Sequence, residues 1–193
     1  MPALADAYLA GGARVIQVRS KIASSAAFLE MCEEVVSRVR KAGGTMIVND
    51  RADIAKLASA DGVHVGQNDL DPVSVRRMLG DAAIVGLSTH SLEQVRAASA
   101  QPVTYVAVGP VFDTPTKHTR DRAVGVSFVA EAVATLATAG TAKPVVAIGG
   151  ITLESAGDVI RAGATSVAVI SDLLSTGNPE VRVREYMRRL AAI

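Results

Sequence analysis

Polar side chains that suit phosphate chemistry recur in this sequence at the ends of short aliphatic runs. Gln17, Arg19 and Lys21 alternate with Val18 and Ser20, and the period of two in an extended strand places all three on one face. Arginine grips a phosphate through paired hydrogen bonds and lysine adds a point charge, so this spacing favours a local anion site. A polar layer that closes the interior of a barrel is the alternative.

Two carboxylates follow the next two runs. Asn49 and Asp50 end one run, and Asp69 follows the run after it. Because neighbouring parallel strands lie about 5 Å apart, we expect Asp50 and Asp69 to share one divalent cation. Carboxylates with no His or Cys partner suit Mg²⁺, which completes its shell with water and phosphate oxygens. A helix N-cap is the alternative for each Asp alone, whereas the pair beside the cationic strand favours the metal.

Three later segments add candidates for ligand binding. The connection from Gly109 to about Ser127 contains Thr114-Pro115-Thr116-Lys117 and exceeds the usual βα loop of roughly 2–6 residues, which favours a lid over a solvated loop. Gly149-Gly150 permits close backbone approach to a ligand, although a tight turn has the same composition. Ile170-Ser171 ends the last run before a short helical segment, where barrels commonly bind phosphate.

The elements that must position these groups are strands and helices in strict alternation. Seven aliphatic runs predict buried parallel strands, and the segments between them have helical spacing. The strands are expected at 15–18, 46–48, 63–65, 84–87, 105–108, 145–148 and 167–170. The helices are expected at 28–39, 52–60, 72–79, 92–98, 128–139 and 156–162. Polar residues at every strand end favour a barrel over a doubly wound sheet, whose ligands gather at one switch point.

A (β/α)8 barrel has eight strands, so one is missing from this count. Residues 1–10 have the pattern of a helix that leads into the first run, which places the missing strand between the runs at 15–18 and 167–170. We expect the natural protein to carry an aliphatic strand upstream of residue 1. The length of 193 residues predicts a single domain over residues 1–193.

The composition of the chain limits the classes of molecule that it could bind. Twenty basic and nineteen acidic side chains leave a net charge of +1, and aromatic residues make up 3% with no Trp, which argues against nucleic acid and anionic membranes. The single cysteine, Cys32, excludes an internal disulfide and lies on an apolar helical stripe, as a buried hydrophobe would. No apolar run reaches membrane-spanning length, so we expect a cytoplasmic protein, and a homo-oligomer is compatible with the sequence.

The remaining polar residues have weaker claims to chemistry. His64 lies inside a predicted strand, where a packed and hydrogen-bonded histidine is expected. His90 and His118 have no evident nucleophile partner. The C-terminal arginines are interpreted as one solvated helix face: Arg182, Arg184, Arg188 and Arg189.

Taken together, these motifs resemble the thiamine-phosphate synthase family. The segments that carry the resemblance occur in the family's order and cover nearly the whole chain: Gln17-Val18-Arg19-Ser20-Lys21, Val48-Asn49-Asp50, Gly62-Val63-His64-Val65-Gly66-Gln67-Asn68-Asp69-Leu70, Gly86-Leu87-Ser88, Gly109-Pro110-Val111-Phe112-Asp113-Thr114-Pro115-Thr116-Lys117 and Ile148-Gly149-Gly150-Ile151. The resemblance implies a TIM barrel, here without its first strand. It also implies a Mg²⁺-assisted transferase that joins a hydroxymethylpyrimidine diphosphate to a thiazole phosphate and releases pyrophosphate.

The resemblance further implies roles for individual residues. The pyrimidine diphosphate would be held by Gln17, Arg19, Lys21, Asn49 and Lys117. Asp50 and Asp69 would bind Mg²⁺, and Ser88 would lie beside the reacting pyrimidine or the diphosphate. The thiazole phosphate would be held by Thr114, Thr116, Gly150, Ile170 and Ser171. Arg19, Ser88 and Lys117 are the predicted catalytic residues.

Two alternatives stay open on the sequence. A thiazole tautomerase on the same scaffold would need an acid–base group and no diphosphate–metal site, and the Asp50/Asp69 pair and the Thr-Pro-Thr-Lys loop count against it. The second alternative is a non-catalytic protein that binds a phosphorylated ligand on an incomplete barrel. The missing strand is the observation that suggests it.

Overall fold

One parallel sheet of seven strands forms the centre of the computed structural model, which describes residues 1–114 and 122–193. The strands are β1 Val15–Val18, β2 Thr45–Asn49, β3 Gly62–Val65, β4 Ile84–Thr89, β5 Tyr105–Val108, β6 Val145–Ile148 and β7 Ser166–Ala168. The helices are α1 Pro2–Gly11, α2 Ser25–Lys41, α3 Ala52–Leu57, α4 Pro72–Leu79, α5 Leu92–Ser99, α6 Gly125–Thr138, α7 Leu153–Arg161 and α8 Pro179–Leu190, with a 3₁₀ helix at Ser171–Leu174.

The strands pair in the order in which they occur along the chain, from β1 to β7, and every pairing is parallel. Each of the seven predicted strands is confirmed, and each predicted helix overlaps an observed one. The last strand was predicted too far along: β7 ends at Ala168, so Ile170 and Ser171 lie beyond it. Strands β1 and β7 form the two edges of the described sheet.

The two faces of the sheet differ in chemistry because side chains alternate along each strand. The outward face is aliphatic and packs under the helices in one core, with Val18, Val48 and Val63 almost fully buried. The inward face carries polar groups near the carboxyl ends of the strands. Asn49 pairs with His64 in the strand register, and His64 pairs with Gly86. A polar cluster therefore lies inside the curved sheet, away from the apolar core.

The first and last helices pack against each other, although β1 and β7 are not paired in the described sheet. Helix α1 packs against α8 so tightly that a Cβ on Gly11 would lie 2.6 Å from the carbonyl oxygen of Glu180 and 2.7 Å from Cβ of Val183. The edge strand beneath is exposed: Val15 keeps 64% of its surface accessible. No helix among residues 1–114 and 122–193 is long and apolar enough to cross a membrane.

Candidate active site

The loop after β1 carries the predicted cations. Gln17 lies in the strand on the inward face, opposite the buried side of Val18. The prediction that strand alternation aligns all three polar side chains was wrong for Arg19 and Lys21, because β1 ends at Val18 and both lie in the loop beyond it. The loop nevertheless directs Lys21 across to the next strand, where its Nζ forms an ion pair with Oδ2 of Asp50. One predicted cation and one predicted metal ligand are therefore in contact.

Asp50 occupies an unusual backbone position at the end of β2. Its φ of 63° lies in the left-handed region, which Asp tolerates better than most residues. Its backbone N–H donates to the carbonyl of His64 at 2.7 Å, so the conformation is held by the neighbouring strand. The N-cap of α3 is Arg51, so the alternative that Asp50 caps this helix is wrong.

Asp69 follows β3 in a short turn. Its Oδ2 accepts a hydrogen bond from the backbone N–H of Gly66 at 2.7 Å, which closes the turn. The cap of the following helix is Asp71, whose side chain accepts from the N–H of Ser74 at 3.0 Å. The helix-cap alternative is therefore wrong for Asp69 as well.

The two carboxylates suit a hard cation. In the described part of the chain, the hydrogen bonds and ion pairs of Asp50 and Asp69 engage Oδ2 of each, which leaves each Oδ1 for a further ligand. No group of three or more His, Cys, Asp or Glu capable of holding a metal occurs among the described residues. Mg²⁺ commonly uses one or two carboxylates and takes its remaining ligands from water and substrate phosphates, so the donor set fits Mg²⁺.

A hydrogen-bonded cluster of His64, Ser88 and Tyr105 occupies the centre of the inward face. Nε2 of His64 lies 2.7 Å from Oγ of Ser88, and Nδ1 lies 2.9 Å from Oη of Tyr105. The His64 and Tyr105 rings stack with centroids 5.6 Å apart. Burial raises the pKa of the Tyr105 phenol well above its ordinary value, so it stays a neutral hydroxyl. The prediction of a packed, hydrogen-bonded His64 is confirmed.

Sequence reasoning missed two members of this site, Tyr105 beside His64 and Gln67 beside Ser88. Gln67 Nε2 donates to the backbone carbonyl of Ser88 at 2.6 Å, so the β3 loop braces the end of β4. The signal that could have found Tyr105 is Gly86, which lies between His64 and Tyr105 in the strand register. A glycine inside a strand often marks a close approach of neighbouring groups.

The glycine pair after β6 supports a loop of the protein itself. Gly149 and Gly150 have φ of 89° and 65°, where glycine is favoured. A Cβ on Gly150 would lie 2.6 Å from the carbonyl oxygen of Asp113 and 2.8 Å from Cβ of Phe112. The sequence predicted that a ligand would approach this backbone closely. On the side where a Cβ of Gly150 would point, the close neighbour is instead the loop that leads to Thr114. Thr114 is described, whereas Thr116 and Lys117 lie outside the described residues.

The segment after β7 is anchored by a partly buried ion pair. Ile170 is exposed, and Ser171 begins the 3₁₀ helix. The next residue, Asp172, accepts hydrogen bonds from Arg182 Nε at 3.0 Å and Nη2 at 3.1 Å. The interpretation of the C-terminal arginines as one solvated face is wrong for Arg182, whose side chain is only 12% exposed because Asp172 draws it inward.

The sequence profile of the thiamine monophosphate synthase family matches residues 1–173. The chain belongs to this family. Thiamine-phosphate synthase from Roseiflexus castenholzii is 40% identical over 94% of this chain and 77% of its own length. The enzyme of that name from Acidothermus cellulolyticus is 40% identical over the whole chain and 89% of its own length. Membership places the chain among the transferases of thiamine biosynthesis.

The fold agrees with a solved structure of the same family. Thiamine phosphate pyrophosphorylase from Pyrococcus furiosus superposes with a TM-score of 0.89 at 28% identity, covering 99% of this chain and 89% of that one. A 3-hexulose-6-phosphate synthase, with a TM-score of 0.63 at 18% identity, shares the fold alone.

Within the thiamine monophosphate synthase family frame, the arrangement has two chemically distinct ends. The β1 loop brings the cation of Lys21 into contact with Asp50 at the end of β2, and Asp69 lies in the turn after β3. The β5, β6 and β7 loops present backbone and hydroxyl groups, which suit a single phosphate. Between them lies the buried cluster of Ser88, His64 and Tyr105.

Proposed function

We propose that this chain joins 4-amino-2-methyl-5-hydroxymethylpyrimidine diphosphate to a thiazole phosphate, giving thiamine phosphate and pyrophosphate. The observation that carries the proposal is the ion pair between Lys21 and Asp50 at the carboxyl end of the sheet, because it joins a cation that would bind the diphosphate to a carboxylate that would bind the metal. Family membership supports the same reaction. The proposal takes residues 1–193 as one domain with small-molecule partners, neither nucleic acid nor membrane, and a cytoplasmic location.

The pyrimidine diphosphate would occupy the end built by β1 and β2. Gln17 and the buried Asn49 lie at the carboxyl ends of these neighbouring strands. Arg19 and Lys21 would bind the diphosphate oxygens, and Lys117 would add a third cation from the long loop. When the diphosphate binds, the ammonium group of Lys21 would form hydrogen bonds to its oxygens and would contact Asp50 less. Fixed cations stabilise the charge that develops on the leaving group as the carbon–oxygen bond breaks.

Asp50 and Asp69 would hold Mg²⁺ through the oxygens that their hydrogen bonds leave available. The metal would supply further positive charge to the departing pyrophosphate. Asp69 is tied to the N–H of Gly66 and Asp50 is held by its left-handed backbone, so both carboxylates are oriented in advance.

The chemical step is a substitution at the methylene carbon of the pyrimidine. The carbon–oxygen bond breaks with its electron pair leaving on pyrophosphate, and the lone pair of the thiazole nitrogen forms the new carbon–nitrogen bond. No proton has to be abstracted, so no strong general base is required. Ser88, held by His64 at 2.7 Å, would contact the pyrimidine or the diphosphate and hold the reacting carbon in place.

The thiazole phosphate would occupy the opposite end. Ile170 and Ser171 follow β7, Gly150 follows β6, and Thr114 lies in the loop after β5. The backbone N–H of Gly150, where φ is 65°, would contribute to an anion site, and the hydroxyls of Thr114 and Thr116 would add donors. If the long loop after β5 covered the bound substrates, it would exclude water. The thiazole nitrogen, rather than a water molecule, would then react with the methylene carbon.

We further propose that the seven strands are seven of the eight of a TIM barrel, with the eighth position between β1 and β7. The exposed edge at Val15 and the closed contact of α1 with α8 support this reading. Hydrogen exchange measures it directly: backbone amides of β1 and β7 that face the gap are expected to exchange far faster than those of β3. Full protection of both edge strands would contradict an open position.

One observation favours the thiazole tautomerase alternative, namely the imidazole of His64 at the centre of the inward face. An isomerase would convert its thiazole substrate without the pyrimidine diphosphate and without Mg²⁺. Incubation with the thiazole phosphate alone, followed by NMR, therefore separates the two reactions. We expect no conversion in that incubation.

The proposal is tested with steady-state kinetics of the Lys21→Ala variant and of Lys56→Ala, a control on the surface of α3. Lys21→Ala is expected to raise KM for the pyrimidine diphosphate by about tenfold or more, since a charge-assisted hydrogen bond contributes about 1.5–3 kcal/mol. Lys56→Ala is expected to match the unmodified chain. Tight ligand binding in calorimetry without any turnover would instead favour the non-catalytic alternative.

A further inference from the structure

Asp172 joins three separate elements through one carboxylate. Its Oδ2 accepts from Arg182 Nε at 3.0 Å, from Tyr186 Oη at 2.6 Å and from the backbone N–H of Leu153 at 3.2 Å. Its Oδ1 accepts from Arg182 Nη2 at 3.1 Å. Asp172 lies in the 3₁₀ helix, Leu153 is the first residue of α7, and the other two belong to α8. The carboxylate therefore clamps the end of the β7 segment to the start of α7 and to α8.

The position of this clamp matters because of what lies beside it. Asp172 directly follows Ser171, and Leu153 lies three residues after Gly150. The two backbone segments that the clamp joins are the ones assigned to the thiazole phosphate above. A change in their spacing would alter that pocket without touching the diphosphate end, which is built by β1, β2 and β3.

The clamp is partly buried, and Arg182 also pairs with Glu185 at 3.0 Å and Glu154 at 3.9 Å. The side chains of Asp172 and Arg182 are each 12% exposed, whereas Arg184, two residues further along the same helix, is 44% exposed in its pair with Glu180. Burial alone would raise the pKa of Asp172, but hydrogen bonds from Arg182 and Tyr186 outweigh it, and the pKa lies below its ordinary value. Asp172 is therefore ionised at neutral pH. Its ion pair with Arg182 places a cation close to the segment that would receive a phosphate.

We propose that Asp172 is a positioning residue for the thiazole phosphate, acting through the backbone of residues 150–153 and 170–172. It does not contact the substrate itself. Arg182 and Tyr186 hold it in the required orientation. This inference rests on the proposed function, because it concerns the acceptor end of that site.

The test compares steady-state kinetics of Asp172→Asn with Asp158→Asn, a matched control on α7 whose carboxylate is 64% exposed in its pair with Arg161. Each substrate is varied in turn while the other is saturating. Asp172→Asn is expected to raise KM for the thiazole phosphate about tenfold. KM for the pyrimidine diphosphate is expected to stay within about twofold, and Asp158→Asn to leave both values unchanged.

A merely structural role would reduce the active fraction and so lower kcat without separating the two KM values. Either that result or equal changes in both KM values would overturn the inference. Tyr186→Phe removes one donor to Asp172 and is expected to shift KM for the thiazole phosphate in the same direction by a smaller factor, which keeps the test decisive if Asp172→Asn does not fold. An unmodified chain without synthase activity would overturn the proposed function itself, whereas an active chain with unchanged KM in both variants would overturn this inference alone.

Discussion

Nε2 of His64 lies 2.7 Å from Oγ of Ser88, although the two residues are on different strands and 24 positions apart in the sequence. The other ring nitrogen, Nδ1, lies 2.9 Å from Oη of Tyr105, which belongs to a third strand. With both nitrogens engaged, the imidazole has one orientation, and so does the hydroxyl that it faces. The most buried polar group of the candidate site is thus fixed by its neighbours before any substrate binds.

Removing the Ser88 hydroxyl tests this arrangement. Ser88→Ala is expected to lower kcat about 10- to 100-fold, because a misplaced reacting group loses much of the advantage of orientation. It should also lower the free energy of unfolding by about 1–3 kcal/mol, since a buried nitrogen of His64 loses its partner. Steady-state kinetics and urea unfolding measure the two effects. Ser99→Ala, near the end of α5, serves as the control and is expected to change stability by less than about 0.5 kcal/mol. An unchanged kcat in Ser88→Ala would remove Ser88 from the site.

Gly86 is predicted to be intolerant of a side chain. A Cβ there would meet the Tyr105 ring and would lie 2.6 Å from Nδ1 of His64, so Gly86→Ala must displace the stacked pair. Such overpacking is expected to cost about 1–3 kcal/mol in urea unfolding. Gly157→Ala, inside α7, is the matched control: its Cβ would meet the flexible end of Ile193 at 3.2 Å, and the helix gains from alanine. Equal stability of both variants would contradict the close packing at Gly86.

The carboxylate pair predicts a specific metal dependence. Asp50→Asn and Asp69→Asn are each expected to raise the Mg²⁺ concentration for half-maximal pyrophosphate release by about tenfold or more, because an amide is a weaker ligand for a hard cation than a carboxylate. Asp53→Asn is the control, since Asp53 pairs with Arg51 at the start of α3. A Mg²⁺ titration of all three variants measures this. Identical titration curves for Asp50→Asn, Asp69→Asn and Asp53→Asn would argue against the site.

The clamp at Asp172 predicts a share of the acid sensitivity of the fold. Its pKa is lowered in the folded protein, so its contribution to stability is fully present above the ordinary value near 4 and is lost as pH falls through the lower folded value. The difference in free energy of unfolding between the unmodified chain and Asp172→Asn is therefore expected to stay constant from pH 7 to about 5 and to narrow below about 4. Urea unfolding at several pH values measures it. If this difference in free energy of unfolding grew as the pH fell, it would contradict a lowered pKa of Asp172 in the folded protein.

Cys32 is predicted to be unreactive while the protein is folded. Its side chain is fully buried in the stripe of α2, and burial together with the nearby Glu33 raises the pKa of its thiol to about 11. The thiolate needed for reaction is then scarce at neutral pH. Labelling with a disulfide reagent should be slow for the folded protein and complete in denaturant. Rapid labelling without denaturant would show that α2 opens readily.

Much of the fold was predictable because parallel strands and their crossover helices leave strong periodic signals. The ends of β1, β2 and β3 carry polar residues close together in the predicted sheet, so a site could be predicted there before the fold was known, although only the structure rejects the helix caps at Asp50 and Asp69. The contact between Lys21 and Asp50 follows from the pairing of β1 with β2, which the alternation of strands and helices implies.

The cross-strand details were not predictable in the same way. The His64–Ser88–Tyr105 cluster depends on the register of three strands, and a shift of one residue would turn these side chains to the other face. The burial of Arg182 depends on where the 3₁₀ helix places Asp172, ten positions earlier, and helical periodicity within α8 carries no information about that partner.

The most direct measurement for the central claim is the stoichiometry of the reaction. The folded protein is incubated with the pyrimidine diphosphate, the thiazole phosphate and Mg²⁺, and thiamine phosphate and pyrophosphate are quantified over time. We expect equal amounts of the two products, no product when either substrate or Mg²⁺ is left out, and a sharply reduced rate for Asp50→Ala. Pyrophosphate release without thiamine phosphate, or no product from the folded protein, would contradict it.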